Sequence, residues 1–138
     1  MSCQMDYEII LHEQPLYAMV RSGGIASVKG FARILAELSV MKQYSPGIGY
    51  LLDIRELDLD DFPVSSLLQI IEYIEECLHT GKGGPCAAVV SHPVAFGIAR
   101  MYGLYGGERL HADYNVFYSL DHAVLWLVNC LLIQKSTV

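Results

Sequence analysis

Apolar and polar positions along the chain alternate between strand-like runs and helical repeats, and the order they give is β-β-α-β-α-β-α-β-α. Tyr7 to His12 and Leu16 to Arg21 are short apolar runs separated by Glu13-Gln14-Pro15, which predicts an antiparallel hairpin; Gly23-Gly24 is expected to end its second strand. Ser27 is then placed as an N-cap. Val28, Phe31, Leu35 and Leu38, with Ala32 and Ile34 alongside, repeat at helical spacing to about Met41. Tyr44-Ser45-Pro46-Gly47 is a breaker, and Ile48 to Leu57 reads as a strand buried on both faces, with Asp53 as its polar end. The acidic stretch Glu56 to Asp61 leads into a helix expected to begin near Pro63, where carboxylates complement the helix dipole. Val64 to His79 is the clearest amphipathic segment, with Leu67, Ile70, Ile71, Ile74, Cys77 and Leu78 on one face and Gly81 to Gly84 as its stop. Cys86 to Ser91 predicts another buried strand, His92-Pro93 turns into a helix from Val94 to about Tyr105, and Gly106-Gly107 closes it. Asn115 to Tyr118 is the last predicted strand. A helix from Asp121 through Ala123, Val124, Trp126, Leu127 and Leu131 follows, with a tail expected to fray after Gln134.

A hairpin followed by strand-helix units implies an α/β fold, a mixed sheet of about five strands flanked by about four helices, in one domain spanning residues 1–138. Composition changes this picture little: 53% hydrophobic and 17% charged residues describe a globular chain with well-covered sheet faces. Charge changes it more. A net charge of -6, with nine scattered Lys and Arg, argues against a nucleic-acid partner and against an anionic membrane surface. Cys3, Cys77, Cys86 and Cys130 share no close spacing, so the expectation is reduced thiols in a cytoplasm, with no zinc site and no disulfide framework. The N-terminal residues lack a basic region followed by an apolar core and are not read as a signal peptide. The most apolar segment, Ala123 to Ile133, is about half the length a membrane span requires.

Candidate chemistry is sparse. Asp53 and Arg55 stand where the central strand is expected to surface, and carboxyl ends of strands in open α/β sheets meet ligands; a strand-end Asp equally often caps its loop and pairs with a neighbouring Arg. His92 is the best single candidate for a base or anion ligand, against the alternative of a solvated turn histidine. Cys86 lies about 20 Å from it along an extended strand at roughly 3.3 Å per residue, so the two form no local dyad. No nucleophile with its base, carboxylate pair, metal cage or phosphate loop is visible, so the chain reads as a non-enzyme without cofactor or metal. Phe96, Tyr102, Tyr105, Tyr114, Phe117 and Tyr118 either line an apolar pocket or dimer face, or fill the core. Gly97 and Gly103 inside a helix each cost about 1 kcal/mol relative to Ala, which points to close approach by a neighbour and to a homodimer.

Taken together, Tyr50-Leu-Leu-Asp-Ile-Arg55, Ala87-Ala-Val-Val-Ser91, Gly97-Ile-Ala-Arg-Met-Tyr102 and Phe117-Tyr-Ser-Leu-Asp-His-Ala-Val-Leu-Trp-Leu127 resemble the SpoIIAA-like family across nearly the whole chain. The resemblance implies a STAS-like fold, related to anti-sigma-factor antagonists and grouped with CRAL-TRIO lipid-binding domains. The candidate ligand- or partner-binding set, taken from the strand ends, the turn after Ser91 and the helix that follows, is Asp53, Arg55, Ser91, His92, Phe96, Arg100 and Tyr102. One departure matters: STAS antagonists carry a phosphorylatable Ser soon after the Asp that ends the central strand, whereas Asp53 is followed by Ile54-Arg55-Glu56. Ser65 and Ser66 come later, in a first helical turn where hydroxyls satisfy backbone donors and where Asp58, Asp60 and Asp61 oppose a phosphate. Two expectations follow. The first is a non-enzymatic cytoplasmic regulatory or protein-interaction module without the usual Ser switch. The second is a small carrier or sensor of a lipid or other apolar molecule. An enzyme using His92 or Asp53 ranks third.

Overall fold

Strands β1 (Asp6–Glu13), β2 (Leu16–Ile25), β3 (Gly49–Asp58), β4 (Cys86–Val89) and β5 (Tyr114–Phe117) form one mixed sheet in the order β1-β2-β3-β4-β5. The computed structural model that shows this describes residues 4–41, 47–78, 84–110 and 113–136. The β1-β2 hairpin is antiparallel, with Glu13 opposite Leu16, and β2 through β5 run parallel. Helices α1 (Val28–Ser39), α2 (Val64–Leu78), α3 (Pro93–Leu110) and α4 (Leu120–Ser136) connect and follow the strands. Because the parallel strands advance in one direction, crossovers of one hand place α1, α2 and α3 side by side on one face. Helix α4 packs on the other face, over β3, β4 and β5.

Each face has its own core. Ile34 and Leu38 of α1, Ala95 and Ala99 of α3, and Val20, Ile54 and Leu57 of the sheet fill the three-helix side. Leu51, Ala87 and Val89 meet Ala123, Leu127 and Leu131 of α4 on the other. Leu51 and Leu127 are fully buried, so the middle of the sheet is covered from both sides. Helix α1 starts where its cap chemistry dictates: the Ser27 hydroxyl accepts a hydrogen bond from the Gly30 amide at 3.0 Å. Among the described residues no helix is long and apolar enough to cross a membrane.

Several boundaries depart from the sequence pattern. Strand β2 continues through Gly23-Gly24 to Ile25, with Gly24 at a φ of 78° that side chains other than glycine rarely adopt. Strand β3 runs beyond Asp53 to Asp58, so the carboxylate is within the strand and not at its tip. A bulge permits this: Arg21 pairs with Asp53 but Gly23 pairs with Glu56, leaving β3 one residue longer. The extra residue resets the two-residue alternation, and Ile54 and Leu57 both enter the three-helix core although they are three apart. Helix α2 begins at Val64 with no acid in its first turn; Asp58 instead accepts a hydrogen bond from the Asp60 amide. Helix α3 passes through Gly106-Gly107 to Leu110, with Gly106 buried, so packing overrides the two stop signals. Residues 44–46, residues 81–83 and the end of the tail, which carry three of the expectations above, lie outside the described residues.

The two glycines of α3 differ in kind. A Cβ built on Gly103 would lie 2.5 Å from the Tyr114 ring, so the close neighbour is part of the same chain. A Cβ on Gly97 meets nothing within 4 Å. Gly97→Ala is therefore expected to stabilise by about 0.5–1 kcal/mol through helix propensity. Gly103→Ala is expected to cost about 1 kcal/mol net, overpacking against Tyr114 outweighing the same gain. Urea denaturation midpoints of the two variants should move in opposite directions, and movement in the same direction would refute this assignment.

Candidate functional site

The carboxyl ends of β3, β4 and β5 share one rim. The register places Asp53 opposite Val89 and Val89 opposite Phe117, so the chain segments that follow all emerge on this side. Strand order does not reverse anywhere in the parallel part of the sheet. The place where neighbouring connections part to opposite faces is instead the end of β4 and β5, since α3 leaves to one side and α4 to the other.

At the centre of the rim Asp53 is only 3% exposed. Its carboxylate accepts from the Arg55 guanidinium at 2.9 and 2.8 Å, from the Arg55 amide at 3.3 Å, and more loosely from Arg21 at 3.4 Å. The guanidinium of Arg55 holds this carboxyl below the usual carboxylate range, against burial, which pushes the other way. Both oxygens are occupied within the chain, so Asp53 itself offers nothing to a ligand. What reaches water is the outer edge of Arg55 and of Arg21, which also lies 3.8 Å from Glu8.

Ser91 and His92 stand at the next turn. The Ser91 hydroxyl donates to the Arg55 carbonyl at 2.8 Å, tying the end of β4 to the bulged part of β3. His92 Nδ1 faces the Ala95 amide at 3.5 Å and its carbonyl accepts from the Phe96 amide, so the residue caps α3. One turn on, the Phe96 ring stacks on Tyr118 with centroids 5.1 Å apart and planes 5° from parallel. The Arg100 guanidinium lies 6.0 Å from the centre of the same ring. Tyr118 is 54% exposed, and Arg100 is exposed as well. The rim thus presents an aromatic pair flanked by a cation, beside two further half-exposed guanidinium groups.

Tyr102 does not join them. It lies at the opposite rim, where its ring meets Tyr114 at 5.3 Å, and Tyr114 pairs with Cys86 at the start of β4. Burial pushes both phenols up and keeps them protonated. Burial also pushes the Cys86 thiol up to about 12, which leaves almost no thiolate at neutral pH and makes the residue a poor nucleophile. Six of the seven predicted residues, Asp53, Arg55, Ser91, His92, Phe96 and Arg100, fall along one rim, whereas Tyr102, about 14 Å along α3 from its start, turns its ring to Tyr114 at the beginning of β5. Sequence reasoning missed Arg21. The hairpin register puts it opposite Glu8, but its approach to Asp53 depends on the parallel register of β2 with β3, which crosses a helix and has no local signal.

No protein-family model matches the sequence. No curated protein matches it either. The fold is nonetheless shared with solved structures. An uncharacterized protein of the DUF3478 family with a SpoIIAA-like fold, from Shewanella loihica PV-4, is 17% identical with a TM-score of 0.62; the match covers 92% of this chain and 98% of that one. An anti-sigma factor antagonist from Mycobacterium paratuberculosis is 14% identical with a TM-score of 0.54, over 90% of this chain and 94% of that one. The fold is therefore SpoIIAA-like, with a five-stranded mixed sheet and four helices among the described residues, as the sequence resemblance implies.

Proposed function

We propose that the chain is a non-enzymatic, cytoplasmic regulatory module that binds another protein through the carboxyl rim, with Arg55, Ser91, His92, Phe96, Arg100 and Tyr118 as its contact residues. The observation that carries this reading is the exposed Tyr118-Phe96-Arg100 stack beside titratable groups that are already engaged: Asp53 by two guanidiniums and His92 as a helix cap. Tyr and Arg are the residue types that interfaces favour, whereas catalysis needs a group free to move a proton or attack. The likeness to a protein described as an anti-sigma factor antagonist supports a regulatory use of the same fold.

The module works without the usual serine switch. Ile54, next after Asp53, is inside β3 and packed in the core, and Arg55 beyond it is held on Asp53. A hydroxyl at either position would be buried or would break the clamp. The carrier alternative has less behind it. An apolar dent lined by Leu11, Ala18, Leu38, Met41, Ile48 and Tyr50 has a volume of about 10 Å³, room for about one water. Small-molecule sites usually take roughly 300–1,000 Å³.

A photo-crosslinking phenylalanine analogue placed at Tyr118, in cells that produce the protein, tests the reading. The expected result is a discrete protein adduct from Tyr118 and none from the same analogue at Val40, an 80% exposed position just beyond α1. No adduct from Tyr118, or identical adducts from both positions, would refute it.

A further inference from the structure

One face of the sheet is only partly covered. Helix α4 lies over β3, β4 and β5, and the β1-β2 half of that face carries Glu8, Ile10 and His12 beside Tyr17, Met19 and Arg21. Ile10 is 43% exposed there. The outer side of α4 is rich in apolar residues: Leu125, Leu132 and Ile133 are exposed beside His122 and Asn129, and Val128 is half-buried, although exposed faces of surface helices are normally polar. Its Trp126 contacts Phe117 on β5, so the opposite flank, with Asp121, Leu125, Val128 and Leu132 at alternating spacings of four and three, is turned toward β2 and β1, where Tyr17 is buried, Met19 half-buried, and Glu8, Ile10, His12 and Arg21 exposed.

We infer that this face closes on a second copy of the chain, α4 of each copy lying over the β1-β2 half of the other. A two-fold axis parallel to the strands and above β3 produces this arrangement, because it carries a helix centred over β4 to a position over β2. The two α4 helices then run side by side with Val128 near the axis and Leu125 and Leu132 completing the seam. The same axis keeps the carboxyl rims level. The partner's Asp121, the acid in the first turn of α4, comes to the rim where Arg21 ends the exposed strip. From His122 to Ile133 the helix carries no Asp, Glu, Lys or Arg, so the acid of its first turn joins Glu8 and Asp53 around Arg21 and its apolar residues meet Ile10 and Met19.

The size fits. Helix α4 has 17 residues, about 25 Å at 1.5 Å each. The strip is about 26 Å long for the eight residues of β1 and about 10 Å wide for two strands. Helix and strip together project about 500 Å² per copy, about 1,000 Å² in all, the size at which a specific interface begins.

Sedimentation velocity of the purified chain at micromolar concentration is expected to give a dimer. Leu125→Asp, on the helix, and Ile10→Asp, on the strip, are both surface changes and should each weaken association at least about tenfold with unchanged circular dichroism. Leu125→Cys should form a disulfide-linked dimer under mild oxidation that the wild-type chain does not, because the parallel seam brings the two copies of this position together. A wild-type monomer, an Ile10→Asp variant that dimerises as tightly as wild type, or failure of Leu125→Cys to cross-link would each overturn the inference. None of these readouts depends on the rim.

Discussion

Replacing Asp53 with Ala is expected to lower stability at pH 7 by about 2–3 kcal/mol. Hydrogen bonds to a charged group contribute roughly 1.5–3 kcal/mol, and losing one partner of a fully buried pair costs about 3–5 kcal/mol. The lower part of that span applies because Arg55 and Arg21 are half exposed and turn to water once the carboxylate is gone. For a domain of this size the loss corresponds to a fall of about 8 °C in Tm. Asp53→Asn, which keeps acceptor capacity at one oxygen, should fall between. The pH dependence has a defined sign. The folded carboxyl titrates below its unfolded value near 3.9, so its stabilisation is present in full above about pH 4 and is lost as pH falls through the depressed folded value. The stability gap between wild type and Asp53→Ala should accordingly shrink in acid. Urea denaturation at pH 7 and at pH 3 measures this, and an Asp53→Ala variant as stable as wild type at pH 7 would show that the clamp is not structural.

Much of the fold could be read from residue patterning because local chemistry and tertiary environment agree. The Ser27 cap, the amphipathic repeat of α2 and the apolar run of β3 each appear where periodicity places them. The failures have a common cause, which is tertiary contact overriding a local signal. Gly23-Gly24 and Gly106-Gly107 look like stops but are carried through by pairing with β3 and by burial. The β3 bulge has no signature in the chain, since Asp53-Ile54-Arg55-Glu56 reads as an emerging polar end when alternation alone is considered. The site was legible to the extent that strand ends and helix starts were. Ser91, His92 and Phe96 follow β4 directly, so any correct placement of that strand puts them on the rim. Tyr102 was misplaced for a geometric reason: nine residues past the start of α3 is about 14 Å along a helix, enough to reach the other rim. The proposed seam of α4 has no signature of its own, because its residues are apolar whether they face the sheet or a partner.

Binding through the rim, as proposed, makes the largest demand on affinity. Exposed Tyr and Arg side chains at the centre of an interface commonly cost about 2 kcal/mol or more when removed, which is roughly 30-fold in affinity. Tyr118 and Arg100 sit on either side of Phe96 and neither contributes to the buried core, so removing both should leave the fold intact. Calorimetric titration of the protein captured at Tyr118 against wild type and against the Tyr118→Ala, Arg100→Glu double variant puts the proposal to its most direct test. The account predicts affinity at least about 30-fold weaker for the double variant, with a fall in Tm of no more than about 5 °C from the lost Phe96 stack. Equal affinity for the two proteins would contradict it and remove the rim from the function.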